Sequence, residues 1–245
     1  MIFIIESSKF VCTGFLRGRF FKGVKMKKLI IWDFDGVIAD TEKLWITSRM
    51  NLLNRDLNLG WDFETAARYI GGRSDKDKKS VLESIGVFAK ESFWEEATKI
   101  DMERLNQGVD LTDGIEDIFK MTDFKQCIAT GGIWPKTKVK IEKTGADKYF
   151  SRETVFTADL VDKGKPEPDL FLLAAKTMGY EPKDCIVIED SIVGLIAAAK
   201  AGMSRIAFVK YDSEKCIEEI KKLGVKNMFD DMRLVKRFLI EKFLK

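Results

Sequence analysis

Lys28-Leu29-Ile30-Ile31-Trp32-Asp33-Phe34-Asp35-Gly36 is the stretch on which the reading of this chain turns. A short apolar run stops abruptly on two acids separated by Phe34. A run of this length, closed by a glycine, reads as a buried strand. The pattern recurs downstream. Cys127-Ile128-Ala129 ends in Thr130-Gly131-Gly132, and the run from Asp184 to Ile188 ends in Glu189-Asp190. Val155-Phe156 and Ile206-Ala207-Phe208-Val209 are two further runs. Between them lie segments suited to helices. Pro135 to Gly145 has Pro near its first turn and Gly past its end, Pro168 to Gly179 follows, and Ile192 to Ala201 is Ala-rich and stopped by Gly202. Strands alternating with helices imply an α/β fold, a Rossmann-like parallel sheet covered on both faces.

Residues Glu42 to about Asn106 interrupt the alternation. Leu44, Met50, Leu53 and Leu57, then Val81, Leu82 and Ile85, recur at helical spacing. Gly60 and Gly71-Gly72-Arg73-Ser74-Asp75 break them. The spacing predicts a small helical domain over 43–107, inserted between core segments 26–42 and 108–245. Residues 1–25 stand apart, with Arg17, Arg19, several Phe and one acid, Glu6. Glu6 and Lys9 speak against a secretory signal. A transit peptide and an extension outside the core both fit, and the extension is the expectation.

The 245 residues are 45% hydrophobic and 33% charged, enough for a sizeable core. No apolar stretch reaches bilayer length, so no membrane partner is expected. The net charge of +3, from 42 basic and 39 acidic residues, lacks the basic excess of a nucleic-acid binder. Lys25, Lys27 and Lys28, and Lys76, Lys78 and Lys79, read as solvated surface. Cys12, Cys127, Cys185 and Cys216 form no CxxC pair, and Cys127 and Cys185, inside apolar runs, read as small core residues of a cytoplasmic, reducing setting. The absence of His removes the Ser-His-Asp and Cys-His mechanisms and nearly all common zinc sets.

In such sheets ligands bind outside the carboxyl ends of the strands. The polar residues placed there are Asp33, Asp35, Thr130, Glu189 and Asp190, with Lys165 in a loop that opens a helix. Gathered carboxylates repel one another unless a cation neutralises them. An all-oxygen set favours a hard ion such as Mg²⁺. A carboxylate is also an accepted nucleophile toward phosphorus. Singly, each residue has a plainer role: helix cap, turn or surface lysine. Their order at successive strand ends makes them a set.

The motifs resemble those of the haloacid dehalogenase-like phosphatase superfamily. Asp33-Phe34-Asp35-Gly36-Val37-Ile38-Ala39-Asp40-Thr41 is similar to its first motif and Thr130-Gly131-Gly132 to its second. Gly164-Lys165-Pro166-Glu167-Pro168-Asp169 is similar to the third. Ile188-Glu189-Asp190-Ser191, with Gly194 and then Ala201-Gly202, is similar to the fourth. The match runs from about Met26 to Val209, and the insertion lies where a helical-cap subgroup carries one. The resemblance implies that Asp33 attacks phosphorus and that Asp35 protonates the leaving alcohol and then activates water. Thr130 would bind phosphoryl oxygens, beside Gly131, and Lys165 would balance the charge of Asp33 and phosphate. Mg²⁺ would be held by Asp190, Asp33 and the Asp35 carbonyl, with Glu189 completing or orienting its shell. Asp40 would hold the loop, and Lys163 is a rival for the place of Lys165. Arg73 is the candidate for substrate selection by a guanidinium, a surface turn being the plainer reading. Trp45 and Trp61 read as core packing or cap lining.

The expected function is thus a Mg²⁺-dependent phosphatase of a small phosphate ester, a sugar phosphate or a phosphoglycolate-like compound, acting as a monomer or weak homodimer. The alternatives are a β-phosphoglucomutase-like mutase, disfavoured by Trp45 where that enzyme has a cap His, and a non-catalytic regulator of the same fold.

Overall fold

The computed structural model describes residues 28–71, 75–211 and 214–244, the side chains of 75–77 and 102 excepted. The expectations for residues 1–25 and for Arg73 lie outside the described residues.

Six strands form one parallel sheet: β1 (Leu29–Trp32), β2 (Lys125–Thr130), β3 (Val155–Thr157), β4 (Cys185–Glu189), β5 (Ser204–Phe208) and β6 (Met228–Phe229). Their order is β3-β2-β1-β4-β5-β6. The chain builds outward from β1 to β3, then crosses back and builds outward from β4 to β6. The order therefore reverses between β1 and β4, where an open sheet of this kind leaves a crevice.

The strand interiors are mainly apolar because both faces are covered, although β2 opens on Lys125-Gln126 and β5 on Ser204-Arg205. Side chains alternate between faces. Ile30, Trp32, Ile128, Ile186 and Ile188 enter one core, with Ile115, Ile118 and Phe119, Ile141, and Met232, Val235 and Leu239. These come from α5 (Glu116–Phe119) and the turn before it, α6 (Trp134–Thr144) and α10 (Met232–Phe243). Leu29, Ile31, Cys127, Ala129, Cys185 and Val187 enter the other core, against α7 (Asp169–Met178) and α8 (Ile192–Lys200). A smaller cluster joins α8 and β5 to Cys216 and Ile220 of α9 (Glu214–Lys222). Three elements after Val209, namely α9, β6 and α10, had no counterpart in the sequence reading. Two-residue β6 is too short to show a period.

Four helices follow β1: α1 (Thr41–Leu57), α2 (Phe63–Ile70), α3 (Asp75–Ser84) and α4 (Glu91–Gln107). They enclose their own cluster, which includes Ile46, Leu52, Leu53, Ala66, Ile70, Leu82, Phe93 and Ala97. Leu57 and Ile85, expected on the inner face, are 38% and 41% exposed. Leu57 is the last residue of α1, and Ile85 follows the last residue of α3. Lys78, read as solvated surface, is buried, and so is the ion pair of Arg49 with Asp101 at 2.5 Å.

Two connections join this unit to the sheet, and they run side by side. Asp40 donates its backbone N–H to Asp110, Thr112 donates to Ile38, and Ala39 bridges Leu111 in antiparallel sense. No described helix is long and apolar enough to cross a membrane.

Candidate active site

The carboxyl ends of β1 and β4 bring the acids together. Asp33 follows β1, and its backbone N–H donates to the Ile188 carbonyl at 2.9 Å. That bond lays the end of β1 against the end of β4. Asp33, Glu189 and Asp190 offer carboxylate oxygens that all lie within 4.8 Å of one another. Lys165 reaches into the cluster from the loop before α7. Its Nζ donates to Asp33 Oδ1 at 2.5 Å and to Glu189 Oε2 at 3.3 Å. The Lys165 side chain is 7% exposed and the Glu189 side chain 1%. Lys163, the rival cation, is exposed.

Burial sets the electrostatics. Desolvation, reinforced by Glu189, pushes the Asp33 carboxyl up to about 7 against the pull of Lys165. Burial works against the charge of Lys165, but Asp33 and Glu189 outweigh it and hold its pKa above the usual lysine value. Asp33 and Glu189 thus share the Lys165 ammonium, with the Asp190 carboxylate close by. The gathered carboxylates and the all-oxygen donor set fit a hard divalent cation.

Two glycines admit this crowding. Gly36 has φ +78°, a conformation that L side chains rarely adopt, and a Cβ there would overlap the Asp190 carboxylate. A Cβ on Gly194 would overlap the Glu189 carboxylate. Ser191 anchors the same carboxylate. Its hydroxyl donates to Glu189 Oε1 and accepts the Gly194 N–H, capping α8. The alternative of an acidic cap from Glu189 or Asp190 is thereby replaced by Ser191.

Thr130 ends β2 and is buried, and its Oγ1 accepts the Gly132 N–H at 3.2 Å. Gly131 is exposed and borders open space. Asp35 lies on the loop after β1, where the Gly36 N–H is shared between the Ala39 carbonyl and Thr41 Oγ1. Its carboxylate pairs with Lys140 of α6 through both oxygens, at 2.7 and 2.6 Å. Asp40 stands apart from the acid cluster, accepting from Lys210 at 2.8 Å and from the Tyr211 hydroxyl at 3.1 Å. Trp61 packs in the helical unit, stacked on Tyr69 at 5.1 Å, and Trp45 is half-buried on α1.

The family model described as "Haloacid dehalogenase-like hydrolase" matches residues 30–208. The chain belongs to that family. Among relatives of this hydrolase, a CBBY-like protein of Arabidopsis thaliana is 29% identical over 72% of the chain and 61% of its own length. A Thermotoga maritima protein named "Phosphorylated carbohydrates phosphatase" is 27% identical over 72% of the chain and 82% of its own length. A haloacid dehalogenase-like protein of Agrobacterium tumefaciens superposes with a TM-score of 0.74. It is 25% identical and covers 87% of this chain and 98% of its own.

Sequence reasoning missed Lys140, Ser191, Lys210 and Tyr211. Ser191 stood inside a quoted motif but without a role. Lys140 is one of four lysines between Lys136 and Lys143. Only the packing of α6 beside the Asp35 loop distinguishes it.

Proposed function

We propose that this hydrolase is a Mg²⁺-dependent phosphatase of a small phosphorylated metabolite, a sugar phosphate or phosphoglycolate-like ester, working through an aspartyl-phosphate on Asp33. The observation that carries the reading is the Lys165 ammonium between Asp33 and Glu189, within a carboxylate cluster at the reversal of strand order. It supports a site built to gather negative charge around a phosphoryl group. The Thermotoga maritima relative, by its name a phosphatase of phosphorylated carbohydrates, supports the substrate class.

In this reading Asp33 attacks phosphorus while Asp35 gives its proton to the departing alcohol oxygen. The Thr130 hydroxyl, the Gly131 backbone and Lys165 bind the phosphoryl oxygens. Water then attacks the aspartyl-phosphate, Asp35 takes the water proton, and Asp33 is regenerated with release of phosphate. Asp33, Asp190, Glu189 and the Asp35 carbonyl would hold the metal. Bound Mg²⁺ supplies the charge neutralisation that lets an anionic carboxylate approach an anionic phosphate. Residues 43–107 act as a cap over the core segments 26–42 and 108–245. Their separate cluster and paired connections support that division.

The test is phosphate release from a panel of sugar phosphates, phosphoglycolate and nucleotides, with Mg²⁺ and with EDTA. Turnover is expected only with the metal. Asp33→Asn should lower it by roughly a thousandfold or more, with an unchanged circular dichroism spectrum. Substantial turnover by a pure Asp33→Asn sample rules the mechanism out. Isomerised sugar phosphate in place of free phosphate would assign a mutase instead.

A further inference from the structure

Asp35 is the acid of the set that the cluster does not hold. Asp33, Glu189 and Asp190 converge on one point. Asp35 turns instead toward α6, where both its oxygens accept from Lys140 Nζ. The Lys140 side chain is 20% exposed, against 36% for Asp35. It lies in a small cleft lined by Phe34, Ala39, Thr41, Leu105 and Val109. These residues belong to the loop after β1, the start of α1, the end of α4 and the connection that follows it. Helix α6 also packs against α4. The lysine thus stands on a helix braced by both units, while its acid partner stands on a loop.

Resting on the reading of Asp35 as proton donor and acceptor, we propose that Lys140 is a positioning residue that fixes the Asp35 carboxyl group for proton transfer to and from the substrate oxygen. Proton transfer requires a heavy-atom separation of about 2.6–3.2 Å. A carboxyl group on a loop reaches that separation reproducibly only if something holds its rotamer. A protonated carboxyl group keeps one oxygen free to accept while the other carries the proton. Lys140 retains the accepting oxygen, and the hydroxyl oxygen faces the alcohol. The bond from Asp33 to phosphorus then forms, the bond from phosphorus to the alcohol oxygen breaks, and the proton passes from Asp35 to that oxygen. The carboxylate left behind regains Lys140 on both oxygens. In the second half, water oxygen bonds to phosphorus and the bond from Asp33 to phosphorus breaks. The water proton passes to Asp35, which restores the starting acid.

The experiment compares kcat/KM for two monoesters in the full-length protein. A hexose 6-phosphate has an alcohol leaving group that needs a proton. 4-Nitrophenyl phosphate has one that leaves without. Lys140→Met is expected to lower the ratio of hexose ester to aryl ester about tenfold, part of the 10²–10⁴ that a general acid contributes. Lys140→Arg is expected to restore most of it. In an Asp35→Asn background, Lys140→Met should add nothing to the change in ratio. An unchanged or raised ratio, an equal loss on both esters, or full additivity with Asp35→Asn overturns the proposal. Lys140→Gln serves the same comparison if the Met variant does not fold. Failure of the underlying reading shows separately: Asp33→Asn would stay active, or Asp35→Asn would leave the ratio unmoved.

Discussion

At Gly194 a single methyl group would occupy the space that the Glu189 carboxylate fills. The carboxylate cannot retreat, because it is held by Ser191 on one oxygen and Lys165 on the other. Gly194→Ala is therefore expected to displace Glu189 or bend the start of α8. Overpacking of this kind costs about 1–3 kcal/mol of stability, and displacement of Glu189 should lower Mg²⁺-dependent turnover as well. Urea melts and initial rates check both. Wild-type values in both would show that the site has slack that the geometry denies. Residue identity was legible here only in part. The spacing of Gly194 from Glu189 marked it as belonging to the motif. The reason, a backbone that must come within touching distance of a buried acid, needed coordinates.

Among the elements, α8 shows how local rules leave the choice of cap open. Asp190 and Ser191 both precede the helix and both are acceptable cap residues. Glu189 is held at the strand end by Lys165 and by the Ser191 hydroxyl, and Ser191 accepts the Gly194 N–H. Ser191→Ala should lower stability by about 1 kcal/mol, the usual cost of a lost cap. It should lower activity further, because Glu189 loses its anchor. Denaturant midpoints and turnover measured side by side test this, and a stability loss without any activity loss would mean that Ser191 serves the helix alone. β1 to β5 were readable for a simple reason: each carries a short apolar run without alternation, whereas two-residue β6 does not. The helical unit was readable as helices, but its inward faces were not. Lys78 and the Arg49–Asp101 pair are buried despite their charge.

For the whole molecule, the sheet offers a readout of its own integrity. Cys127 and Cys185 lie on the two strands that flank β1, and both are fully buried. Burial holds the Cys127 thiol well above its usual pKa. Burial, with Asp184 next to it, pushes Cys185 up to about 12. Thiolate is the reactive form, and a raised pKa means that it is scarce at pH 8. Alkylation of these two residues at pH 8, followed by peptide mass spectrometry, should be negligible in native protein and rise in step with global unfolding in urea. Rapid labelling of either one without denaturant would mean that the central strands open locally. The sequence by itself determined the alternation of strands and helices, the presence of helices after β1, and which acids stand at strand ends. Those features are written in local periodicity and in short motifs. Only the tertiary structure decided that β1 and β4 lie side by side, that Lys165 and not Lys163 enters the acid cluster, and that Asp35 is held by Lys140. The partners in these contacts stand more than a hundred residues apart in the chain, as with Asp33 and Lys165 or Asp35 and Lys140. A pattern read along the chain carries no distance between such residues until packing sets one.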